Sequence, residues 1–168
     1  MEPRLTPTSY IVLGLVAQAG EATPYDLKLM VAAGLSNLWS VQHAQLYSEP
    51  ERLAAGGYLR EDREAGGRRR RRYALTARGR TALREWLATP TKDFTELRDP
   101  GLLKLFFGAE PGMIAPGQLA VHEGKLAEYE RLRAAAAAAG GAPRGPMLTL
   151  EAGIDHEREW IRFWKRLV

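Results

Sequence analysis

Two Thr-Pro pairs, Thr6-Pro7 and Thr23-Pro24, open the first two apolar stretches of the chain and constrain its fold more than any other feature. A threonine side chain accepts from the unpaired N–H groups of a helix's first turn, and a proline just inside that turn has no N–H to leave unpaired and a φ already suited to the helix. Each pair therefore predicts a helix start. The run "YIVLGLVAQ" carries the first helix to Gly20, and "YDLKLMVAA" carries the second to Gly34.

A third helix is predicted in "VQHAQLYSEPERLAAGGYL", from Val41 to the Gly56-Gly57 pair. Leu46, Pro50 and Leu53 recur at steps of four and three and form its inward stripe, while Val41, Gln45, Ser48 and Arg52 line the opposite side. Pro50 interrupts this helix at a cost of roughly 3 kcal/mol. Its ring is apolar and falls on the inward stripe, so the expectation is a bent but continuous helix rather than one split in two.

Next, "YLRED" and "RRRYAL" flank "REAGG", whose glycines suit a hairpin turn. Thr76 then caps a fourth helix, "ARGRTALREWLA", which stops before Pro90. Three short helices, a basic hairpin and a further helix describe a winged helix-turn-helix, with the third helix as the reading element and the hairpin as the wing. The expected fold class is mostly α with a small β-hairpin wing. Residues 1–89 form the predicted DNA-binding domain, and residues 90–168 a helical region for dimerisation and effector binding.

In that second region "DPGLLKLFFG" reads as a short helix and Pro116 as the start of a long one, in which Leu119, His122, Leu126 and Tyr129 recur at steps of three and four. The alanine run 134–139 extends it, and "GGAPRGP" breaks it. The last segment, "LTLEAGIDHEREWIRFWKRLV", carries Leu150, Ile154, Trp160, Ile161, Phe163, Trp164 and Leu167, an apolar face wider than a lone surface helix requires. The expected occupant of that face is a second subunit.

Charge separates the two halves. Residues 1–87 hold 13 Lys+Arg against 9 Asp+Glu, and residues 88–168 hold 11 against 11, so all of the net +4 lies in the first half. Eight arginines fall between Arg68 and Arg84 with no acidic residue among them, which projects a strong local positive field. Arg68, Arg69, Arg70, Arg71 and Arg72 stand at the predicted wing, where guanidinium groups reach phosphates or a narrow minor groove. The alternative is a solvated charged loop. Strand alternation divides the run, so not every arginine can face DNA.

On the third helix Gln42, Gln45, Ser48 and Arg52 carry groups that pair with base edges and phosphates, and Gln45 is the best candidate for reading adenine. Tyr47 is either a phosphate contact or core, and His43 either a phosphate contact or a cap. Tyr25 and Lys28 on the second helix are further backbone-contact candidates. Trp39, Trp160 and Trp164 line a pocket for a small aromatic effector, or else belong to core or dimer interface together with Leu119, Leu126, Tyr129, Ile154 and Ile161.

Other classes find little support. The chain has no cysteine, which removes disulfides and zinc-thiolate sites. His43, His122 and His156 lie far apart, "HEREW" lacks the second histidine of a zinc-protease helix, and Gly124-Lys125 has no phosphate-loop glycine before it. No enzymatic activity, metal or cofactor is expected. No apolar run approaches a membrane span and "MEPRLTPTSY" does not read as a signal peptide, so a cytoplasmic location is expected. The remaining rival is a winged-helix interaction module that does not touch DNA, which has no need for eight uncompensated arginines.

From Leu13 to Leu87 the chain resembles the PadR family of bacterial transcriptional regulators. The most specific residues are Gln45-Leu46-Tyr47 followed by Arg52-Leu53 and Gly57-Tyr58-Leu59, and Tyr73-Ala74-Leu75-Thr76 followed by Gly79. The remainder resembles the virulence-activator-like C-terminal region of the longer members, through "LLKLFFG" and the tryptophan-bearing last helix. The resemblance implies a homodimer on a palindromic operator, C-terminal helices crossing between subunits, and repression relieved by a small molecule or another signal. Pro50 departs from the family pattern, in which an aliphatic residue is usual.

Overall fold

A computed structural model of the chain describes residues 4–63 and 70–168. Arg68, Arg69 and the glycines of the predicted hairpin turn lie outside the described residues. The chain divides into two compact units, one ending at Asp93 and the other beginning at Phe94.

In the first unit both Thr-Pro pairs start helices as expected. Helix α1 (Pro7–Ala19) begins with Thr6 accepting from the Ser9 backbone N–H, while the Thr6 N–H donates to Ser9 Oγ at 2.8 Å. After a two-residue strand β1 (Glu21–Ala22), helix α2 (Pro24–Ala32) repeats the arrangement: the Thr23 N–H and hydroxyl donate to Asp26 Oδ2 at 2.9 and 2.8 Å. A 3-10 turn (Leu35–Asn37) precedes helix α3 (Gln45–Ala55). Strands β2 (Leu59–Arg63) and β3 (Arg71–Leu75) and helix α4 (Ala77–Ala88) complete the unit.

Leu46, Pro50 and Leu53 are buried as the stripe predicts, and they join Val12, Leu13, Val16, Leu27 and Tyr73 in one core. Each large apolar side chain hidden there contributes about 1.5–3 kcal/mol. Helix α3 runs unbroken through Pro50, so the split-helix alternative is set aside. Its start differs from expectation. Residues 42–44 form a turn, with the Gln45 N–H donating to the Gln42 carbonyl at 2.9 Å and the Leu46 N–H to His43 at 3.1 Å, so the helix begins four residues after Val41. The turn also reorients Val41, which packs against the core instead of lining the polar side.

The sheet has three strands rather than two, in the order β1-β3-β2, with β3 central and antiparallel to both neighbours. Glu21 pairs with Ala74 and Ala22 with Tyr73, while Leu59 pairs with Leu75 and Arg63 with Arg71. A strand of two residues has no period-2 pattern to detect.

Helix α4 rests on the backbone that leads into β2. The Thr76 hydroxyl donates to the carbonyls of Gly57 (2.7 Å) and Tyr58 (3.0 Å) and accepts from the Gly79 N–H (3.0 Å). A Cβ on Gly79 would stand 2.1 Å from the Tyr58 carbonyl oxygen. The spacing of threonine and glycine is thus a contact between the first turn of α4 and the start of the wing.

The second unit contains α5 (Pro100–Phe106), α6 (Pro111–Ala138) and α7 (Arg144–Lys165). Helix α6 starts at Pro111 and runs through Pro116, which is therefore not its opening residue. Helix α7 begins at Arg144, before the expected Leu148, because Pro146 falls in its first turn, where no helical N–H bond is lost. Gly140 and Gly141, with φ of 86° and 104°, make the turn that folds α7 back antiparallel on α6. Among the described residues no helix is long and apolar enough to cross a membrane.

Gly79→Ala is expected to lower stability by about 1–3 kcal/mol, as over-packing does. Chemical denaturation of the variant and the parent measures this, and unchanged stability would show that α4 can lift off Tyr58 freely.

Candidate nucleic-acid interface

With its apolar stripe spent on the core, α3 turns Gln45, Tyr47, Ser48 and Glu51 outward, all exposed. Gln42 and His43 are exposed too, but they precede the helix and belong to the turn that leads into it. Tyr47 is half exposed and absent from the core, which removes its packing alternative. The Ser48 hydroxyl donates back to the Ala44 carbonyl at 3.2 Å. On α2, Tyr25 is 59% exposed and Lys28 partly so.

Arg52 has a different occupation from the one expected of it. Its Nη2 donates to Glu49 Oε1 at 2.6 Å and to Ser9 Oγ at 2.9 Å, its Nε to Glu49 Oε2 at 2.9 Å, and its Nη1 to the Arg4 carbonyl at 3.2 Å. Ser9, fully buried on α1, donates its own hydroxyl proton to Glu49 Oε1 at 2.6 Å. Burial raises the Glu49 carboxyl, but the hydrogen bonds from Arg52 and Ser9 and the charge of Arg52 outweigh it and hold that carboxyl below its ordinary value of 4.5. Arg52 and Glu49 clamp α3 onto α1, which gives Arg52 a role within the fold. Helical spacing showed which side it occupied, but its Ser9 contact, two helices away, was not visible from it.

Along β3 the arginines separate. Arg71 is bound to Glu51 on α3, with Glu61 on β2 within 3.7 Å. Arg70, just before the strand, and Arg72 are exposed, and by alternation Arg72 points to the other face from Arg71. Their charges reach α2: the Asp26 carboxyl is held below its ordinary value first by the Thr23 hydrogen bonds, against burial, and then by Arg72 and Arg70. The N-terminal end of α2, the outer side of α3 and the base of the hairpin therefore lie side by side in one unit.

In the second unit, Ile154, Ile161, Trp164 and Tyr129 are buried within the single chain, between α6 and α7, so they serve its own core. Leu119, Leu126 and Trp160 are partly exposed. Trp164 stacks near Trp160 at 6.4 Å between ring centres and meets Phe163 at 5.0 Å. Trp39, half exposed, belongs to the first unit, whereas Trp160 and Trp164 belong to the second. The apolar face of α7 is wide because α6 covers part of it.

The sequence pattern of the Transcriptional regulator PadR-like family matches residues 12–85, and that of the Virulence activator alpha C-term matches residues 116–167. Residues 12–85, which hold α2, α3, the sheet and most of α1 and α4, are similar to the PadR-like family. This family consists of transcriptional regulators, not enzymes. The chain is 25% identical over 172 residues to the Negative transcriptional regulator PadR of Bacillus subtilis (strain 168), covering 95% of this chain and 94% of that one. Its fold is similar to the crystal structure of Bacillus subtilis PadR in complex with operator DNA, with a TM-score of 0.86, 22% identity and coverage of 98% of this chain and 97% of that one. It is also similar to the structure of the same regulator in complex with p-coumaric acid, with a TM-score of 0.78, 20% identity and coverage of 97% and 96%.

Sequence reasoning missed several residues of this PadR-like chain. Trp86 on α4 stacks on Tyr10 of α1 at 4.7 Å, and Glu157 meets His122 at 2.6 Å between α7 and α6. Glu49 and Glu51 were also overlooked, because carboxylates on a basic surface read as ordinary ion pairs. An open groove of about 780 Å³ in the first unit was not foreseen either; Val16, Leu75 and Leu83 form its apolar wall, with Arg60, Arg80 and Arg84 beside them.

Glu49→Gln is expected to destabilise the protein at pH 7 by about 1.5–3 kcal/mol, the range for hydrogen bonds to charged groups. The Glu49 carboxyl has a lowered folded-state pKa, so its contribution is fully present above 4.5 and is lost as pH falls through the folded value. Denaturation curves at neutral and acid pH should therefore differ less for the variant than for the parent.

Proposed function

We propose that this protein is a DNA-binding repressor that holds a palindromic operator as a homodimer and lets go of it when a small molecule binds. The ion pair between Arg71 and Glu51 carries the reading: it puts the arginine hairpin against the third helix, where a duplex can meet both. Gln42, His43, Gln45, Tyr47 and Ser48 supply the reading side, with Gln45 paired to a base edge. Tyr25, Lys28, Arg70 and Arg72 hold phosphates, joined by Arg68 and Arg69. The regulator works in the cytoplasm, where its operator is. The names of its relatives, a negative regulator and a structure with operator DNA, support repression.

Dimerisation belongs to the second unit in this reading. Val121 and Leu132 are exposed on α6 and lie eleven residues, about three turns, apart on one side of it. With Leu119, Leu126 and Trp160 they offer apolar surface to a second copy. The effector is a small aromatic carboxylic acid, as the p-coumaric acid complex of the relative suggests. The groove beside Arg60, Arg80 and Arg84 has the apolar wall and cationic edge such an acid needs.

The deciding experiment is titration of the protein against its own promoter region, and against duplexes selected from a random pool, with nonspecific competitor present. Preferential binding is expected, with a log-log salt slope of about −0.9 per phosphate contact. Arg70→Ala should make that slope shallower by about 0.9, and Gln45→Ala should cost about 1–3 kcal/mol of discrimination at one base pair. Equal affinity for every duplex would leave only the interaction-module reading. Light scattering should give twice the chain mass of 18.6 kDa, and Val121→Lys with Leu132→Lys should shift it toward the monomer.

A further inference from the structure

Arg71 links the wing to the reading helix. Its Nη1 donates to Glu51 Oε1 on α3, and its Nε lies 3.7 Å from Glu61 Oε1 on β2. Glu61 in turn accepts from Arg63 Nε at 2.6 Å and from the Tyr73 hydroxyl at 3.3 Å. Tyr73 is fully buried in the core, so this chain of contacts starts at the centre of the unit and ends on the outer side of the reading helix. Arg71 is 39% exposed against 67% for Arg63 across the strand pair.

Glu51 needs an explanation of its own. It is a carboxylate, 55% exposed, on the side of α3 that also carries Ser48. Beside a phosphate backbone a negative charge repels, so it weakens binding unless it does something that outweighs the repulsion.

We infer that Arg71 and Glu51 are a positioning pair, a strut that sets the angle between the wing and the reading helix, and that Arg71 is not itself a phosphate contact. The inference rests on the DNA-binding reading above. Two mobile elements that must meet one duplex lose affinity when their relative angle is free, because ordering them is then part of the cost of binding. The strut orders them beforehand. Arg70 and Arg72, both exposed, are phosphate contacts in this reading.

The sign of one substitution tests this. Glu51→Gln removes a negative charge near DNA, so a purely electrostatic role predicts tighter binding. The strut predicts weaker binding, by about two- to fivefold, the range of an exposed ion pair. Arg71→Gln should weaken binding by a similar factor with the salt slope unchanged. Arg71→Glu combined with Glu51→Arg should recover affinity relative to Arg71→Glu alone. The probe is a duplex selected from a random pool, and circular dichroism confirms that each variant is folded. Unchanged or tighter binding by Glu51→Gln overturns the inference, as does a slope made shallower by about 0.9 in Arg71→Gln, which marks one lost phosphate contact. If the unsubstituted protein selects no duplex, the functional reading has failed and the strut with it; if it selects one and the variants behave otherwise, only the strut has failed.

Discussion

Helix α3 has eleven residues, and one side of it must leave water: Leu46, Pro50 and Leu53 are buried against α1 and the sheet. This burial determines which residues are left facing out. Rotating the helix by one position would expose the stripe and lose several kcal/mol of apolar burial, so the orientation of Gln45, Tyr47 and Ser48 is set from within. Pro50, the sixth residue of the helix, gives up the N–H bond to the Leu46 carbonyl, while its ring fills a core position. The Ser9–Glu49–Arg52 contacts then fix α3 along its length against α1.

The wing depends on the same anchoring. Tyr58, just after α3, lends its carbonyl to Thr76 and leaves room only for glycine at position 79, so the end of α3, both hairpin strands and α4 meet at one place. From there β3 carries alternating side chains outward, with Arg71 turned toward α3 and Arg72 turned the other way. A continuous run of like charge thereby separates into a half-buried member bound to carboxylates and more exposed members on either side of it.

The second unit obeys simpler rules. Alanine and leucine carry α6 through 28 residues, two positive-φ glycines reverse the chain, and α7 lays Ile154, Ile161 and Trp164 on α6. Tyr129 meets Gly153, where a Cβ would approach the ring to 3.0 Å, so the two helices come close at that level. What remains exposed, Val121 and Leu132 among it, is apolar surface that one chain does not use.

Helix starts at Pro7, Pro24 and Ala77 were legible because a cap is a contact between residues three apart, and the inward stripe of α3 was legible because burial follows helical period. The arginine hairpin and the family resemblance were legible for similar reasons, as local runs of charge and residue type. Other features were decided only when distant segments met. Strand β1 exists because β3 offers it an edge, and α3 begins at Gln45 because the turn before it returns Val41 to the core. Arg52 and Arg71 have the same chemistry as their neighbours, yet Arg71 meets a carboxylate on another element, and the Arg52–Glu49 pair, local in itself, is joined to Ser9 of α1 only by packing. Local sequence specifies which groups a segment carries and which side they share, whereas the partner of a charge is a property of the tertiary arrangement.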